Sequence, residues 1–218
     1  MPAMKRRVTV VDYGMGNLFS VARALEYCDA EPVFATSPEA VLDAERLILP
    51  GVGAFADGMA GLQQQGLVQP LQEYYRSGRP LLGICLGMQM LLETNEEFGY
   101  HQGLGLLPGN VTAIPKFGAD QQPHKIPHIG WNSLHNPSHQ QSWSDTILSG
   151  VPEGTRMYFV HSYTAFPDQE KNRLADADYN GQRLSAVIRS GNLFGCQFHP
   201  EKSGPWGLKI IENFINLN

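Results

Sequence analysis

Hydrophobic and polar positions in the first half of the chain follow two alternating repeats. Short β-branched or aliphatic runs occur at 8–12, 33–36, 46–49 and 80–84, as expected for buried strands. Amphipathic stretches with the period of a helix lie between them, at about 18–28, after Ser37-Pro38, and from about 54 to 76. Because strands that alternate with helices build parallel sheets, the pattern predicts an α/β fold with a mostly parallel central sheet flanked by helices.

The second half lacks this alternation and predicts strands that follow one another directly. Two of them form a hairpin through Ser190-Gly191-Asn192, a last helix covers about 207–217, and 115–123 and 136–144 have the composition of loops. The predicted strands are 103–114, 128–134, 156–166, 175–179, 184–189 and 193–198. We therefore expect a partly antiparallel section within one domain spanning 1–218, since no repeat or linker divides the chain.

Composition narrows the choice of partners. The 218 residues are 42% hydrophobic, enough for one buried core, and carry a formal net charge of -5 with only 16 Lys and Arg. This balance provides no basic surface for nucleic acid or for an anionic membrane. The sequence contains neither a stretch long enough to span a membrane nor a signal peptide. Small molecules and proteins are the expected partners.

Cysteine and histidine usage argues against disulfides and metal sites. The three cysteines form an odd set without a CxxC motif, which indicates a reducing, cytoplasmic location. Four of the seven histidines, His124, His128, His135 and His139, lie among Pro, Asn, Ser and Gln at spacings unlike those of metal ligands. We predict that they lie in solvated loops, and we expect no metal and no cofactor.

The segment after the fourth predicted strand has the pattern of a nucleophile elbow with cysteine in place of serine. It reads GICLGMQ over 83–89. Gly83 and Gly87 permit a tight turn from strand to helix, which would expose the sulfur of Cys85 at a helix N-terminus and direct the N–H of Leu86 towards a developing oxyanion. The alternative is that the glycines serve packing around a small buried cysteine.

A thiol nucleophile needs a base, and the base needs an orienting group. His199 and Glu201 provide both, because Pro200 favours extended backbone at His199 and alternate residues of an extended chain project to one side. The apolar run 193–198 would bring the pair to the same sheet edge as Cys85. The glycine-rich end of the third strand, with Gly51, Val52 and Gly53, is positioned to provide a second oxyanion donor.

With GICLGMQ, FHPE and LPGVG in these places, the chain resembles the triad-type, or class I, glutamine amidotransferases over its whole length. The resemblance implies that Cys85 attacks the side-chain amide of L-glutamine. His199 would then protonate the departing ammonia and later activate water, while Glu201 orients His199. The substrate-binding residues that the resemblance implies are Gly51, Val52, Gly53, Leu86, Gln89, Glu97, His161, Ser162 and Tyr163.

Further motifs are similar to those of the glutaminase subunits of imidazole glycerol phosphate synthase, which acts in histidine biosynthesis. They are PHIGWN at 127–132, YFVHSY at 158–163 and FHPEKSG at 198–204. The chain starts just before its first strand and stops soon after Glu201, so we expect no synthase region of its own. The resemblance implies a heterodimer with a separate (βα)8-barrel cyclase subunit that takes up the ammonia, and it assigns Trp131, Tyr158 and Lys202 to the docking face.

Three other interpretations remain open from the sequence. A paralogue could supply ammonia for amination or amidination of a surface-polysaccharide sugar. A non-enzymatic domain could have kept the fold, although Cys85, His199 and Glu201 are all present. A stand-alone cysteine hydrolase could share the elbow, but it would not need exposed aromatic residues such as Trp131 and Tyr158.

Overall fold

The first half of the molecule consists of four parallel strands with helices between them. The computed structural model describes residues 5–137 and 142–217. The elements are β1 (Arg6–Val11), α1 (Leu18–Tyr27), β2 (Ala30–Ala35), α2 (Pro38–Leu42), β3 (Leu47–Gly51), α3 (Phe55–Gln64), α4 (Val68–Arg76) and β4 (Leu81–Cys85). Side-chain caps start two of the helices, because Asn17 accepts a hydrogen bond from the Ser20 N–H and Ser37 from the Ala40 N–H. The α/β alternation predicted from the sequence is confirmed.

The second half is dominated by strands. Its elements are α5 (Leu86–Met90), β5 (Leu92–Asn95), β6 (His101–Gln102), β7 (Leu107–Ala113), β8 (His128–His135), β9 (Arg156–His161), β10 (Tyr163–Pro167), β11 (Arg173–Tyr179), β12 (Gln182–Ser190), β13 (Leu193–Cys196) and α6 (Gly204–Ile215), with 3-10 turns at Glu170–Asn172 and Pro200–Lys202. The predicted antiparallel section is present, with the hairpin at 190–193.

The strands form two sheets, and the larger one joins both halves of the chain. Its nine strands run in the order β2-β1-β3-β4-β13-β12-β11-β8-β9, and β13 pairs in parallel with β4. The smaller sheet has the order β10-β7-β5-β6. Because β3, β4 and β13 are parallel neighbours, their carboxyl ends lie at one edge of the large sheet. This edge is where ligands bind in open α/β sheets.

The central strands are buried on both faces. In β3, Ile48 packs into one hydrophobic cluster with Phe194 and Phe214, while its neighbours Leu47 and Leu49 pack into the other. Helices cover both faces, so these strands are continuously apolar rather than alternating. Within the described residues, no helix is long and apolar enough to cross a membrane.

Three predictions from the sequence need correction. The strand expected at 156–166 is two strands, since β9 belongs to the large sheet, β10 to the small one, and Ser162 lies between them. The short strands β5 and β6 were not predicted, because an apolar run directly after a one-turn helix has no period of its own. The prediction of a solvated loop is wrong for His124 and His128, which pack against the ring of Tyr179 and are buried.

His135 and His139 are the other two histidines that the sequence predicted to lie in solvated loops. The side chain of His135 is half exposed at the end of β8, near Glu153. His139 lies outside the described residues.

Candidate active site

Cys85 lies at a sharp turn between β4 and α5. Its backbone has φ 55° and ψ -110°, a conformation that residues with a side chain rarely adopt and that marks a strained turn. A Cβ at Gly83 would come within 2.8 Å of the backbone of Gly87, and a Cβ at Gly87 would overlap the carbonyl oxygen of Leu49. Gly83 is therefore required by the packing of β4 against the first turn of α5, and Gly87 by the close approach of that turn to β3.

The helix after the elbow is short. α5 contains only five residues, so its dipole contributes less to the sulfur than a full-length helix would. The sulfur of Cys85 is instead surrounded by specific partners, as the side chain is 8% exposed and lies 3.8 Å from the carbonyl oxygen of Val160. Leu86 is the first residue of α5, where a backbone N–H has no acceptor within the helix.

His199 lies between Cys85 and Glu201. Its Nδ1 is 2.9 Å from Oε1 of Glu201, and its ring hydrogen-bonds to Cys85. Burial alone would lower the pKa of His199, but the hydrogen bonds and charges of Cys85 and Glu201 outweigh it and raise the pKa to about 9. The imidazole of His199 can therefore hold a proton at neutral pH. This is the arrangement expected of a thiol nucleophile, its base and the group that orients the base.

Backbone contacts hold this histidine in place. The His199 N–H donates to the carbonyl oxygen of Tyr158 over 3.0 Å, joining the segment after β13 to β9. The hydroxyl of Ser203 donates to the His199 carbonyl oxygen and accepts from the Tyr158 N–H. The backbone of His199 is extended, as predicted, but Glu201 lies in the 3-10 turn at Pro200–Lys202. The prediction that extended chain brings the two side chains together is therefore wrong, because this turn returns the carboxylate to the ring.

The triad opens into a cleft of about 380 Å³. Its walls come from the ends of β3, β4 and β9, from α5, from the start of β10, and from the segments that follow β5 and β13. Lining residues that the sequence identified are Val52, Gly53, Cys85, Leu86, Gln89, Glu97, His161, Ser162, Tyr163, His199 and Lys202, while Pro127 and Val160 were not identified. No group of described residues is arranged to hold a metal ion.

Gly51 and Glu97 occupy positions with distinct functions in the fold. Gly51 pairs with Cys85 in the sheet and does not line the cleft, and a Cβ there would approach the hydroxyl of Tyr13 to 2.6 Å. Glu97 lines the cleft, and its Oε2 accepts a 2.7 Å hydrogen bond from the Phe55 N–H at the start of α3. Its carboxylate is thus held at the positive end of that helix.

A chain of hydrogen bonds behind the cleft determines the protonation of two histidines. The carbonyl oxygen of Tyr163 can only accept, so Nδ1 of His161, 2.8 Å away, carries the proton. Burial lowers the pKa of His161 to about 3, despite that hydrogen bond, and the neutral ring then accepts at Nε2 from Nδ1 of His128 over 3.0 Å. Burial likewise lowers the pKa of His128 to about 4, with a further contribution from His124.

The three residues assigned to a docking face are not in the core. Trp131 is 47% exposed and pairs across β8 and β9 with Tyr158, with 5.9 Å between the ring centres. Tyr158 is partly buried, and Lys202 lines the cleft. This placement is compatible with docking, which remains a prediction.

One buried polar residue next to the triad was missed. Gln197 is fully buried and contacts both Cys85 and Gln89. A signal was present in the sequence, because a glutamine interrupts the apolar run at 193–198 two residues before His199.

Comparisons with known proteins identify the family of the chain. The family model "Glutamine amidotransferase class-I" matches residues 9–217. "Imidazole glycerol phosphate synthase subunit HisH 1" of Legionella pneumophila (strain Lens) is 53% identical over 96% of this chain and 99% of its own. The HisH subunit of Desulfitobacterium hafniense (strain DSM 10664 / DCB-2) is 46% identical over 95% of this chain and 92% of its own.

Solved structures share the fold at low identity. A structure of PurLQS from Thermotoga maritima superposes with a TM-score of 0.72 and 22% identity, covering 98% of this chain and 99% of the other. A crystal structure of a glutamine amidotransferase gives a TM-score of 0.71 at 18% identity, covering 96% and 97%. The match to the family model and the near full-length identity to the two HisH subunits show that this chain belongs to the class I glutamine amidotransferases, and among them to the HisH subunits of imidazole glycerol phosphate synthase.

Proposed function

We propose that this chain hydrolyses L-glutamine with Cys85, His199 and Glu201 and passes the ammonia to a HisF-type (βα)8-barrel cyclase subunit. The observation that carries the proposal is the placement of the His199 ring between Cys85 and Glu201 at the wall of the cleft. In the cyclase, ammonia and the ribulosyl intermediate would give imidazole glycerol phosphate and aminoimidazole carboxamide ribotide. The polysaccharide alternative receives no support from the relatives, which are named as subunits of imidazole glycerol phosphate synthase.

The first half of the reaction releases ammonia. The thiol of Cys85 passes its proton to His199, the sulfur attacks the side-chain amide carbon of glutamine, and the C–S bond forms as the carbonyl becomes an oxyanion. The N–H of Leu86 and a backbone N–H from Val52 or Gly53 stabilise that oxyanion. His199 gives its proton to the departing nitrogen, the C–N bond breaks, and a thioester remains.

The second half regenerates the enzyme. His199, now neutral, takes a proton from water, and the resulting hydroxide attacks the thioester carbon. The C–S bond breaks, glutamate leaves, and the proton returns to the sulfur or remains on His199. Gln89, Glu97, His161, Ser162 and Tyr163 line the cleft and would hold the rest of the glutamine molecule.

The test measures glutamate release by this chain alone, with the barrel subunit, and with the barrel subunit plus the ribulosyl nucleotide. We expect Cys85→Ala to abolish glutamine-dependent synthesis, while the complex still uses added ammonium salt at raised pH because the cyclase site is unchanged. Cys28→Ala is the matched control, since Cys28 caps the C-terminal end of α1 and its sulfur donates to the Leu208 carbonyl oxygen over 3.5 Å. Glutamate release by Cys85→Ala at the wild-type rate would refute the assignment.

A further inference from the structure

Gln197 is a buried amide for which the reaction above provides no role. It is 0% exposed and directly follows β13, where its N–H donates to the Ala186 carbonyl oxygen over 2.9 Å and continues the pairing with β12. An amide this deeply buried is costly unless both its oxygen and its nitrogen have partners. The partners of Gln197 therefore indicate why the position is polar.

Both ends of the Gln197 amide face residues of the site. Its Nε2 lies 3.9 Å from the sulfur of Cys85, and its Oε1 is 3.1 Å from Nε2 of Gln89. The Gln89 nitrogen also lies 3.1 Å from the carbonyl oxygen of Tyr163. Gln89 thus has one nitrogen between two acceptors, and it can donate one hydrogen to each.

The Tyr163 carbonyl oxygen determines the direction of every bond in this chain. A carbonyl oxygen only accepts, so the nitrogen of Gln89 must face it, and the same nitrogen then faces the oxygen of Gln197. Consequently the nitrogen of Gln197 faces Cys85. The sulfur of Cys85 therefore faces an N–H of the Gln197 amide and not its oxygen.

We propose that Gln197 is a positioning residue that donates to the Cys85 sulfur, favours its thiolate form, and couples it through Gln89 to the backbone of Tyr163. The proposal rests on the proposed role of Cys85 as nucleophile. It extends that role by linking the charge state of the nucleophile to the segment that would hold glutamine.

The surroundings of the sulfur explain why a donor matters there. The Val160 carbonyl oxygen, 3.8 Å from the sulfur, accepts a hydrogen from the thiol but repels a thiolate. Among the described residues, His199, with Glu201 behind it, and the buried phenol of Tyr13 interact electrostatically with Cys85. The titratable side chains of Glu97, His161, Tyr163 and Lys202 line the same cleft. The Gln197 N–H therefore opposes the effect of Val160, and its loss should make the sulfur harder to ionise.

The test measures the rate at which iodoacetamide alkylates Cys85 as a function of pH, with peptide mass spectrometry to separate Cys85 from Cys28 and Cys196. In Gln197→Leu and Gln197→Met we expect the pH midpoint of alkylation to rise by about one unit, which makes alkylation about tenfold slower at pH values below the midpoint. Gln72→Leu is the matched control, since Gln72 donates to the Leu104 carbonyl oxygen from α4, away from the site. Its midpoint should equal that of the wild type.

Two substitutions of Gln197 are used in case one of the variants fails to fold. A second measurement uses the wild-type protein and does not depend on either variant. The side-chain amide protons of Gln197 should shift in ¹H–¹⁵N spectra as Cys85 ionises and should lose this titration in Cys85→Ala. An unchanged alkylation midpoint in a folded Gln197 variant, or an amide signal that ignores Cys85, would overturn the proposal. Glutamine hydrolysis by the wild-type complex is measured alongside, so the role of Gln197 can fail while that of Cys85 stands.

Discussion

The side chain of Glu201 is buried, and its Oε1 contacts Nδ1 of His199 over 2.9 Å. A carboxylate in this position keeps the ring in one orientation and stabilises the imidazolium that forms when His199 holds a proton. Its contribution to the raised pKa of His199 is electrostatic as well as geometric. Charge and geometry can be separated, because glutamine has the shape of glutamate without the charge.

We expect Glu201→Gln to preserve the fold and to lower the turnover of glutamine. The neutral amide cannot stabilise the imidazolium of His199, and the comparable change in a serine triad costs roughly ten-thousandfold. The loss here should be smaller, since a thiol is more acidic than an alcohol. Single-turnover glutamate formation in the complex provides the measurement, and unchanged turnover would reduce Glu201 to a structural residue.

His128 should make the protein less stable in acid. Its folded pKa is lowered to about 4, whereas an unfolded histidine titrates near 6.5. Between these values the unfolded chain binds a proton that the folded chain does not, so the free energy of unfolding falls as the pH drops from about 7 to about 5.

We expect this fall to be smaller in His128→Gln, by about 1 kcal/mol, because one titrating group is removed. Urea unfolding at both pH values gives the free energy of unfolding. The quantity compared between wild type and variant is its decrease from the higher to the lower pH, and not its absolute value. His135→Gln is the control, since it is the same substitution at a histidine whose side chain is half exposed. Equal falls in wild type and His128→Gln would contradict the assignment.

The turn from β4 into α5 depends on close contact between backbones. Gly87 packs against the Leu49 carbonyl oxygen, and Gly83 against Gly87, so the two strands and the helix leave no room for a Cβ. This contact brings the first turn of α5 against β3 and holds the strained backbone of Cys85. The elbow is therefore stabilised by its neighbours and not by the local preference of cysteine.

Gly87→Ala should destabilise the protein by about 3 kcal/mol, because the added methyl group overlaps a backbone oxygen that cannot move aside. Gly105→Ala is the control. Its φ of +64° is unfavourable for alanine, at a cost of about 1 kcal/mol, but nothing lies within 4 Å of the added carbon. Urea denaturation compares the two, and a cost for Gly87→Ala no larger than that of the control would show that the elbow can relax.

Strand β9 connects the site to the aromatic pair Trp131 and Tyr158. Tyr158 is in β9, its carbonyl oxygen holds the His199 N–H, and the same strand ends at His161 in the cleft. A partner that contacts Trp131 and Tyr158 would therefore contact β9, the strand that holds His199 and leads into the predicted glutamine-binding segment 161–163. Docking and hydrolysis would be mechanically coupled.

Trp131→Ala should leave the melting temperature of the isolated subunit nearly unchanged but weaken binding of the barrel subunit. Ammonia would then leak, which is measured as glutamate formed in excess of cyclised product. Lys202→Ala should behave in the same way.

Replacing a core tryptophan by alanine would instead lower the free energy of unfolding by around 3–5 kcal/mol. A large drop in melting temperature for both Trp131→Ala and Tyr158→Ala would therefore refute the docking face. Tyr27→Ala, an exposed aromatic at the far end of α1, is the control for partner binding.

The sequence was sufficient for the parts of this protein that depend on local pattern. Strands and helices of the first half follow from hydrophobic period, and short motifs identify Cys85, His199 and Glu201 as candidates. These features can be recognised without the rest of the chain. The geometry of the site cannot, because the elbow is held by its contact with β3, and a 3-10 turn brings Glu201 to His199 where extended chain was predicted.

Contacts between distant segments could not be obtained in this way. The burial of His128, the break of 156–166 into two sheets at Ser162, and the contact of Gln197 with Cys85 each depend on which strands become neighbours. A histidine in a polar stretch has the same local sequence whether it is solvated or lies behind a cleft. Burial, partner and pKa are properties of the packed molecule, because desolvation and hydrogen bonding come from residues far away in the chain.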